Sequence, residues 1–300
     1  GKDIGIDWQI AGMDVPAPAR AGDKSGFLDW WSGKPDQAEW TIMVFSNAKN
    51  DLERFLLSDL NEMEIIGSTA KVNIVAEVGR IEGYDSSDGD WKGVRRYLIT
   101  RDTDTTKMGS KVVEDLGMID LGDYRSLAAF GKWAKQKYPA KRYMLIVSNH
   151  GSGWEKSRAT PLTKGISYDE QSGNHINTPQ LGLAMKEIGE VDVFGTDACL
   201  MQMAEVDYEI KDYADYIVGS EETEPGDGYT YNDFLGALVA RPTMRPIELG
   251  RLTVDAYSDH YQKQNTGSTQ SVVRADSVHK LLTLTNAFTA AMMESGDKTL

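Results

Sequence analysis

Five short apolar runs constrain this chain more than any motif in it. They lie at residues 40–46, 72–78, 143–149, 191–196 and 216–220. An apolar run that is brief and does not alternate with polar residues suits a strand buried on both faces. Such strands belong to parallel sheets covered by helices. Helical patterns fall between the runs. Leu52, Phe55, Leu56, Leu60 and Met63 make one apolar face behind a turn at residues 47–51. Leu127, Phe130, Trp133 and Ala134 make another behind Asp123, stopping near Pro139. Thr178 and Pro179 open a helix over 180–188, with Pro at the first helical position. Further helical patterns cover 203–210, 231–239, 246–261 and 277–293, and residues 94–100, 165–168 and 270–274 read as additional strands. The expected fold is therefore α/β, a mainly parallel sheet flanked by helices on both faces. Residues 1–39, broken by Pro16, Pro18 and Pro35, read as an N-terminal extension or tether, and residues 40–300 as one domain.

Two of the runs end in chemically useful side chains. The run at 191–196 leads into Asp197-Ala198-Cys199, and Cys199 is the only cysteine in the chain. The run at 143–149 leads into His150-Gly151-Ser152-Gly153. If the two strands are neighbours, thiol and imidazole emerge at one carboxyl edge, where open α/β sheets hold their sites. Cys199 is read at the start of the helix that continues through Met203, Val206 and Ile210. Free N–H groups and the helix dipole there favour thiolate. The other histidines are less apt: His175 lies in a polar loop, and His260 and His279 lie in helical patterns. Gly151 lets backbone approach a substrate closely, and its N–H is a candidate oxyanion donor. This placement points to a cysteine peptidase.

Charge narrows the partners. A formal net charge of -14 argues against nucleic acid, which needs clustered Lys and Arg. It suits cationic substrates. The segment 212–240 contains Asp212, Asp215, Glu221, Glu222, Glu224, Asp227 and Asp233 and no Lys or Arg. No apolar run approaches the ~20 residues of a membrane span. A single cysteine rules out an intramolecular disulfide. No Cys/His cluster suggests zinc. The chain starts at Gly1 without Met, as expected of a mature form from which a targeting sequence was removed.

Three blocks carry a resemblance. Residues 149–154, Asn-His-Gly-Ser-Gly-Trp, resemble the histidine block of the clostripain family of cysteine peptidases. Residues 197–201, Asp-Ala-Cys-Leu-Met, followed by Glu205, resemble its cysteine block. Residues 220–226 with Gly228, Tyr229 and Tyr231 resemble its third block, with Tyr229 where Trp is usual. Asn50-Asp51-Leu52 is also similar. The resemblance covers residues 40–235 and implies a caspase-like fold and endopeptidase cleavage of proteins and peptides after basic residues, Arg ahead of Lys. It implies a dyad of His150 and Cys199, an oxyanion hole of the Gly151 and Cys199 amides, and no third residue to orient His150. It places Asp197 at the base of the S1 pocket, whereas the residues alone read it equally as the N-cap of the helix near Cys199. Ser220 and Glu221, at a strand end, are candidate S1 lining. The resemblance makes Lys164 a candidate self-processing site and implies a secreted or cell-envelope setting. No cofactor is required for the chemistry. Calcium enters by resemblance, the loop at 85–90 offering hard oxygen ligands, but no metal site is assigned. Two alternatives stay open: the same dyad with a non-basic P1 preference, and an inactive binding module on the same fold. Oligomeric state is left open.

Overall fold

The computed structural model describes residues 37–154 and 165–295. Residues 1–36 of the tether expected over 1–39, and Lys164, lie outside the described residues, while Ala38 and Glu39 belong to the first strand. The strands are β1 (Ala38–Ala48), β2 (Val72–Arg80), β3 (Gly93–Leu98), β4 (Val112–Gly117), β5 (Ala140–Ser148), β6 (Gly165–Asp169), β7 (Asn174–Asn177), β8 (Val191–Asp197), β9 (Ala214–Gly219) and β10 (Ser271–Arg274). The helices are α1 (Glu53–Ile66), α2 (Tyr124–Lys137), α3 (Thr178–Ile188), α4 (Ala204–Ile210), α5 (Tyr231–Ala240), α6 (Pro246–Lys263) and α7 (Asp276–Ser295).

Eight strands form one sheet in the order β10-β9-β8-β5-β1-β2-β3-β4, and β6 pairs with β7 separately. The five apolar runs are its parallel centre: β2, β1, β5, β8 and β9 pair in parallel. Antiparallel strands close both edges, β3 and β4 on one side and β10 on the other. Along β1, Ile42 and Val44 enter one buried cluster while Met43 and Phe45 enter the other. The two-residue period of a strand thus builds a core on each face. Leu57, Leu60 and Met63 of α1 and Phe234 and Leu238 of α5 pack in the first cluster, and Leu127 and Phe130 of α2 with Leu181 and Met185 of α3 in the second.

Several local expectations change. The helix after Thr178-Pro179 is capped one residue earlier, by Asn177, in a capping box with Gln180. The half-hairpin expected at 94–100 finds its partner in β4, a polar edge strand with no apolar run. The largest change concerns the cysteine. Helix α4 begins at Ala204, with Met203 as N-cap, so Cys199 lies in the turn between β8 and α4 and not at a helix start. The helix-dipole argument for its thiolate, and the capping role for Asp197, both fall with that.

Candidate active site

The sheet order decides where the site is. From β1 the chain moves to β2 on one side and later returns to β5 on the other. The carboxyl ends of β1, β5 and β8 therefore meet where the winding direction switches. Register sharpens this: Ser46 pairs with Ser148, and Ser148 with Asp197. His150 and Cys199 each follow by two residues, so both leave the sheet at the same level. Asn149 fixes the end of β5. It is buried, its amide donates to Asn47 O, and its Oδ1 accepts from Tyr168 N at 2.6 Å.

The histidine has a partner that the sequence reading did not nominate. His150 Nε2 lies 2.6 Å from Asp51 Oδ1, just beyond β1. Both side chains are partly open to solvent, so the pair is screened and acts chiefly on orientation. Nδ1 is then the ring nitrogen not engaged by Asp51.

Cys199 is partly buried beneath the segment that follows β9. The Glu224 amide donates to its Sγ at 3.2 Å, and the strap is tied down by Leu200 N to Glu222 O at 3.0 Å and Gln202 N to Ser220 O at 3.0 Å. Leu200 adopts a left-handed backbone, φ 61°, which turns the chain back along this strap. Gly151 approaches the cysteine loop and not an open cavity: a Cβ there would stand 2.3 Å from Cys199 O. Among the described residues, neither the Gly151 nor the Cys199 amide donates to a backbone acceptor.

A cavity of about 180 Å³ opens beside the thiol, lined on one wall by Leu52, Phe55, Leu56 and Asp59. The strand ends supply Ser148, Asn149, His150, Asp197, Ala198 and Cys199, and the strap supplies Glu224, Pro225, Gly226 and Gly228. No Lys or Arg is among these lining residues. Asp197 is buried at the end of β8. It accepts from Tyr229 N at 3.0 Å, Tyr231 OH at 2.9 Å and Ser148 Oγ at 3.2 Å. Burial pushes its carboxyl up, against the lowering effect of these donors. Glu224 is hydrogen-bonded to it, and its carboxyl is pushed well up, first by burial and then by the Asp197 charge.

The structure brings His150, Cys199 and Asp197 to this cavity. It does not bring Ser220 or Glu221. Ser220 is wholly buried and bonded to Thr269 and Glu222 O, and Glu221 is exposed and accepts from Ser271 Oγ. In the segment after β9 the lining begins at Glu224. Asp59 is the residue the sequence reading passed over, and Asp51 and Glu224 were noted only within a motif and an acidic segment, with no individual role. Asp59 did leave a signal: it is the residue at i+7 of the stripe Leu52, Phe55, Leu56, a carboxylate on an apolar face. His175 is buried and stacked on Tyr168, outside the cavity.

The residues at 85–90 do not fit a calcium site. Asp85 accepts from Ser87 N and its backbone carbonyl from Arg80, while Asp88 accepts from Met108 N. Among the described residues no three His, Cys, Asp or Glu groups stand together as metal ligands would.

A model described as the Clostripain family matches residues 44–300. The clostripain of Hathewaya histolytica is 29% identical over 231 residues, covering 70% of this chain and 44% of that one, so the chain spans less than half of this relative. A secreted C11 cysteine protease from Bacteroides thetaiotaomicron, solved with an irreversible peptide inhibitor, matches with TM-score 0.65 at 24% identity, over 81% of this chain and 68% of its own. An inactive zymogen C11 protease from Parabacteroides distasonis matches with TM-score 0.65 at 21% identity, over 82% and 65%. The fold is that of these proteases, the caspase-like arrangement expected from the sequence.

Proposed function

The chain belongs to the clostripain family, and from that premise we propose that it is a cysteine endopeptidase cutting proteins and peptides after basic residues, Arg ahead of Lys. One observation carries the reading. The only thiol and a partnered imidazole line a cavity that is also lined by Asp197, Glu224 and Asp59 and by no Lys or Arg. An apolar wall of Leu52, Phe55 and Leu56 suits the methylene stem of Arg or Lys, and the carboxyls suit its charged end.

In this reading Cys199 Sγ attacks the scissile carbonyl carbon. The Gly151 and Cys199 amides receive the oxyanion. As the tetrahedral intermediate collapses the C–N bond breaks, and the imidazolium of His150 gives its proton to the leaving amine. His150 then takes a proton from water, which attacks the thioester carbonyl. The C–S bond breaks, releasing the acid and restoring the thiolate. Asp51 holds the ring through Nε2 and is a positioning residue. Asp197 supplies the negative charge at the base of S1. Calcium is given no step, since the loop at 85–90 does not offer a site.

Two further points belong to the proposal. Lys164 is a self-processing site, because it is basic and lies between the dyad residues. The protein works outside the cytoplasm, in keeping with the secreted relative from Bacteroides thetaiotaomicron. No helix among the described residues is long and apolar enough to cross a membrane.

The test is a fluorogenic panel with P1 Arg, Lys, Asn, Asp and Leu, run on the wild type and Cys199→Ala. Cleavage after Arg and Lys alone, absent in the variant, is the expected result. Cleavage after Asn or Asp would retain the dyad and discard the S1 assignment. No cleavage by folded protein, before or after limited proteolysis with trypsin, would favour a binding module.

A further inference from the structure

Asp197 is crowded. A carboxylate has about four lone-pair sites, and Asp197 already receives Tyr229 N, Tyr231 OH, Ser148 Oγ and the Glu224 carboxyl. It can supply charge to a P1 side chain, but it has few acceptor positions left. Asp59 is the reverse. It is 5% exposed, lines the same cavity from α1, and has neither a hydrogen bond nor an ion pair among the described residues.

The charged groups that bear most on Asp59 are acidic. Asp197 stands at the end of β8, Glu224 and Asp227 on the strap, and Glu62 on its own helix. Tyr231 comes from α5, its hydroxyl already donated to Asp197. A carboxyl buried without a donor is rare in folded chains. Here the missing donor is best supplied from the cavity, by a group that is cationic and carries several N–H bonds.

Resting on the S1 reading above, we propose that Asp59 is a specificity-determining residue: it receives the charged end of the P1 side chain from the α1 wall and selects Arg over Lys. A guanidinium holds five N–H donors on a rigid plane and can serve two walls at once. An ammonium is a compact point charge that satisfies one wall well. The Arg preference then arises from Asp59, with Asp197 setting the preference for a cation of either kind.

The experiment is Asp59→Asn in the full chain, with Asp59→Ala beside it. Steady-state kinetics are read on peptides with P1 Arg, Lys and citrulline, the neutral shape-match of Arg. Thermal unfolding and the rate of Cys199 alkylation by iodoacetamide are read in parallel. For Asp59→Asn, kcat/KM on P1 Arg should fall about 10- to 100-fold, mostly through KM, as loss of a charge-assisted hydrogen bond implies. P1 Lys should fall less, so the Arg-to-Lys ratio drops, and citrulline should stay poor throughout. Melting temperature should hold or rise, because an unpartnered buried carboxyl has gone, and alkylation should not change. An unaltered Arg-to-Lys ratio in a wild type that does cleave after Arg would overturn the role of Asp59 and leave S1 standing. Parallel loss of melting temperature and alkylation in both variants would make the residue structural and overturn it too. A wild type that ignores both Arg and Lys would sink the S1 reading itself.

Discussion

Gly228→Ala should disable S1 while sparing the nucleophile. Gly228 has φ 58°, a left-handed backbone, and a Cβ there would stand 2.6 Å from Asp197 Oδ1 and 3.1 Å from Oδ2. Ordinary contact starts near 3.4 Å, so the carboxylate must retreat by about 0.8 Å or the strap must lift. The left-handed conformation costs an alanine about 1–2 kcal/mol. Weakening the bond from Tyr229 N to Asp197 Oδ1 adds about 1.5–3 kcal/mol, as for hydrogen bonds to charged groups. A sum near 4 kcal/mol is below the ~5–15 kcal/mol that holds a typical domain, so the variant should fold with a lower melting temperature. A shift approaching 1 Å at a positioning group can cost about 100-fold in rate. The assay is kcat/KM on a P1 Arg peptide, with iodoacetamide alkylation of Cys199 as the control for the thiol. Gly226→Ala is the matched comparison. Its Cβ would meet only the Phe55 ring at 3.2 Å, and its φ is not left-handed, so a loss of a few-fold is expected. Retention of P1 Arg hydrolysis within about threefold by folded Gly228→Ala would refute the reasoning, since the strap could not then rest on a carboxylate that reads P1.

Asp51→Asn should lower kcat about tenfold with little change in KM, and Asp51→Glu should recover part of it, because a solvent-exposed partner orients His150 without large electrostatic leverage; stopped-time kinetics on a P1 Arg peptide would check it, and a pure KM effect would contradict it. Asp207, buried on α4 with Oδ1 unbonded among the described residues, has its carboxyl pushed up to about 7 by burial. The sign follows: the folded state holds a proton that the unfolded chain releases above its ordinary value of 3.8, so stability present in acid is lost as pH rises through about 7. Asp207→Asn should therefore gain about 4 kcal/mol relative to wild type at pH 8 and little at pH 3.5. Urea unfolding at the two values would show it, and parallel stability–pH curves would contradict it.

The parallel core was legible because each of its strands is mainly apolar, with few polar breaks such as Asn73, Glu77 and Asp192, and double burial favours such a run. The edge strand β10 and, toward the other edge, β3 were legible too, whereas β4 and β7 were not: both are short, β4 is interrupted by Glu114 and Asp115, and β7 is bounded by Asn174 and Asn177. His150 and Cys199 were visible as the residues at which two buried strands run out. The local structure around Cys199 was misread because Met203, Val206 and Ile210 keep helical spacing, while the turn at Leu200 needs a left-handed backbone that the sequence does not advertise. The cavity walls were harder still. Asp59 and Asp51 lie more than ninety residues before His150 and reach it only through the order of strands β1, β5 and β8. Ser220 and Glu221 sit where a strand ends, but Ser220 is bonded to Thr269 and Glu222 O and Glu221 is exposed, and the cavity lining starts only at Glu224.

The central claim is that Cys199 is the nucleophile of a site that reads a basic P1 residue. The most direct measurement is peptide mapping by mass spectrometry after reaction with peptidyl acyloxymethyl ketones carrying P1 Arg or P1 Leu. The account predicts a single stoichiometric adduct on Cys199 with the Arg probe. That adduct should be suppressed by excess Arg peptide, form more than about tenfold faster than with the Leu probe, and fail to form in His150→Ala. An adduct on any other residue, or equal rates with the two probes, would contradict it.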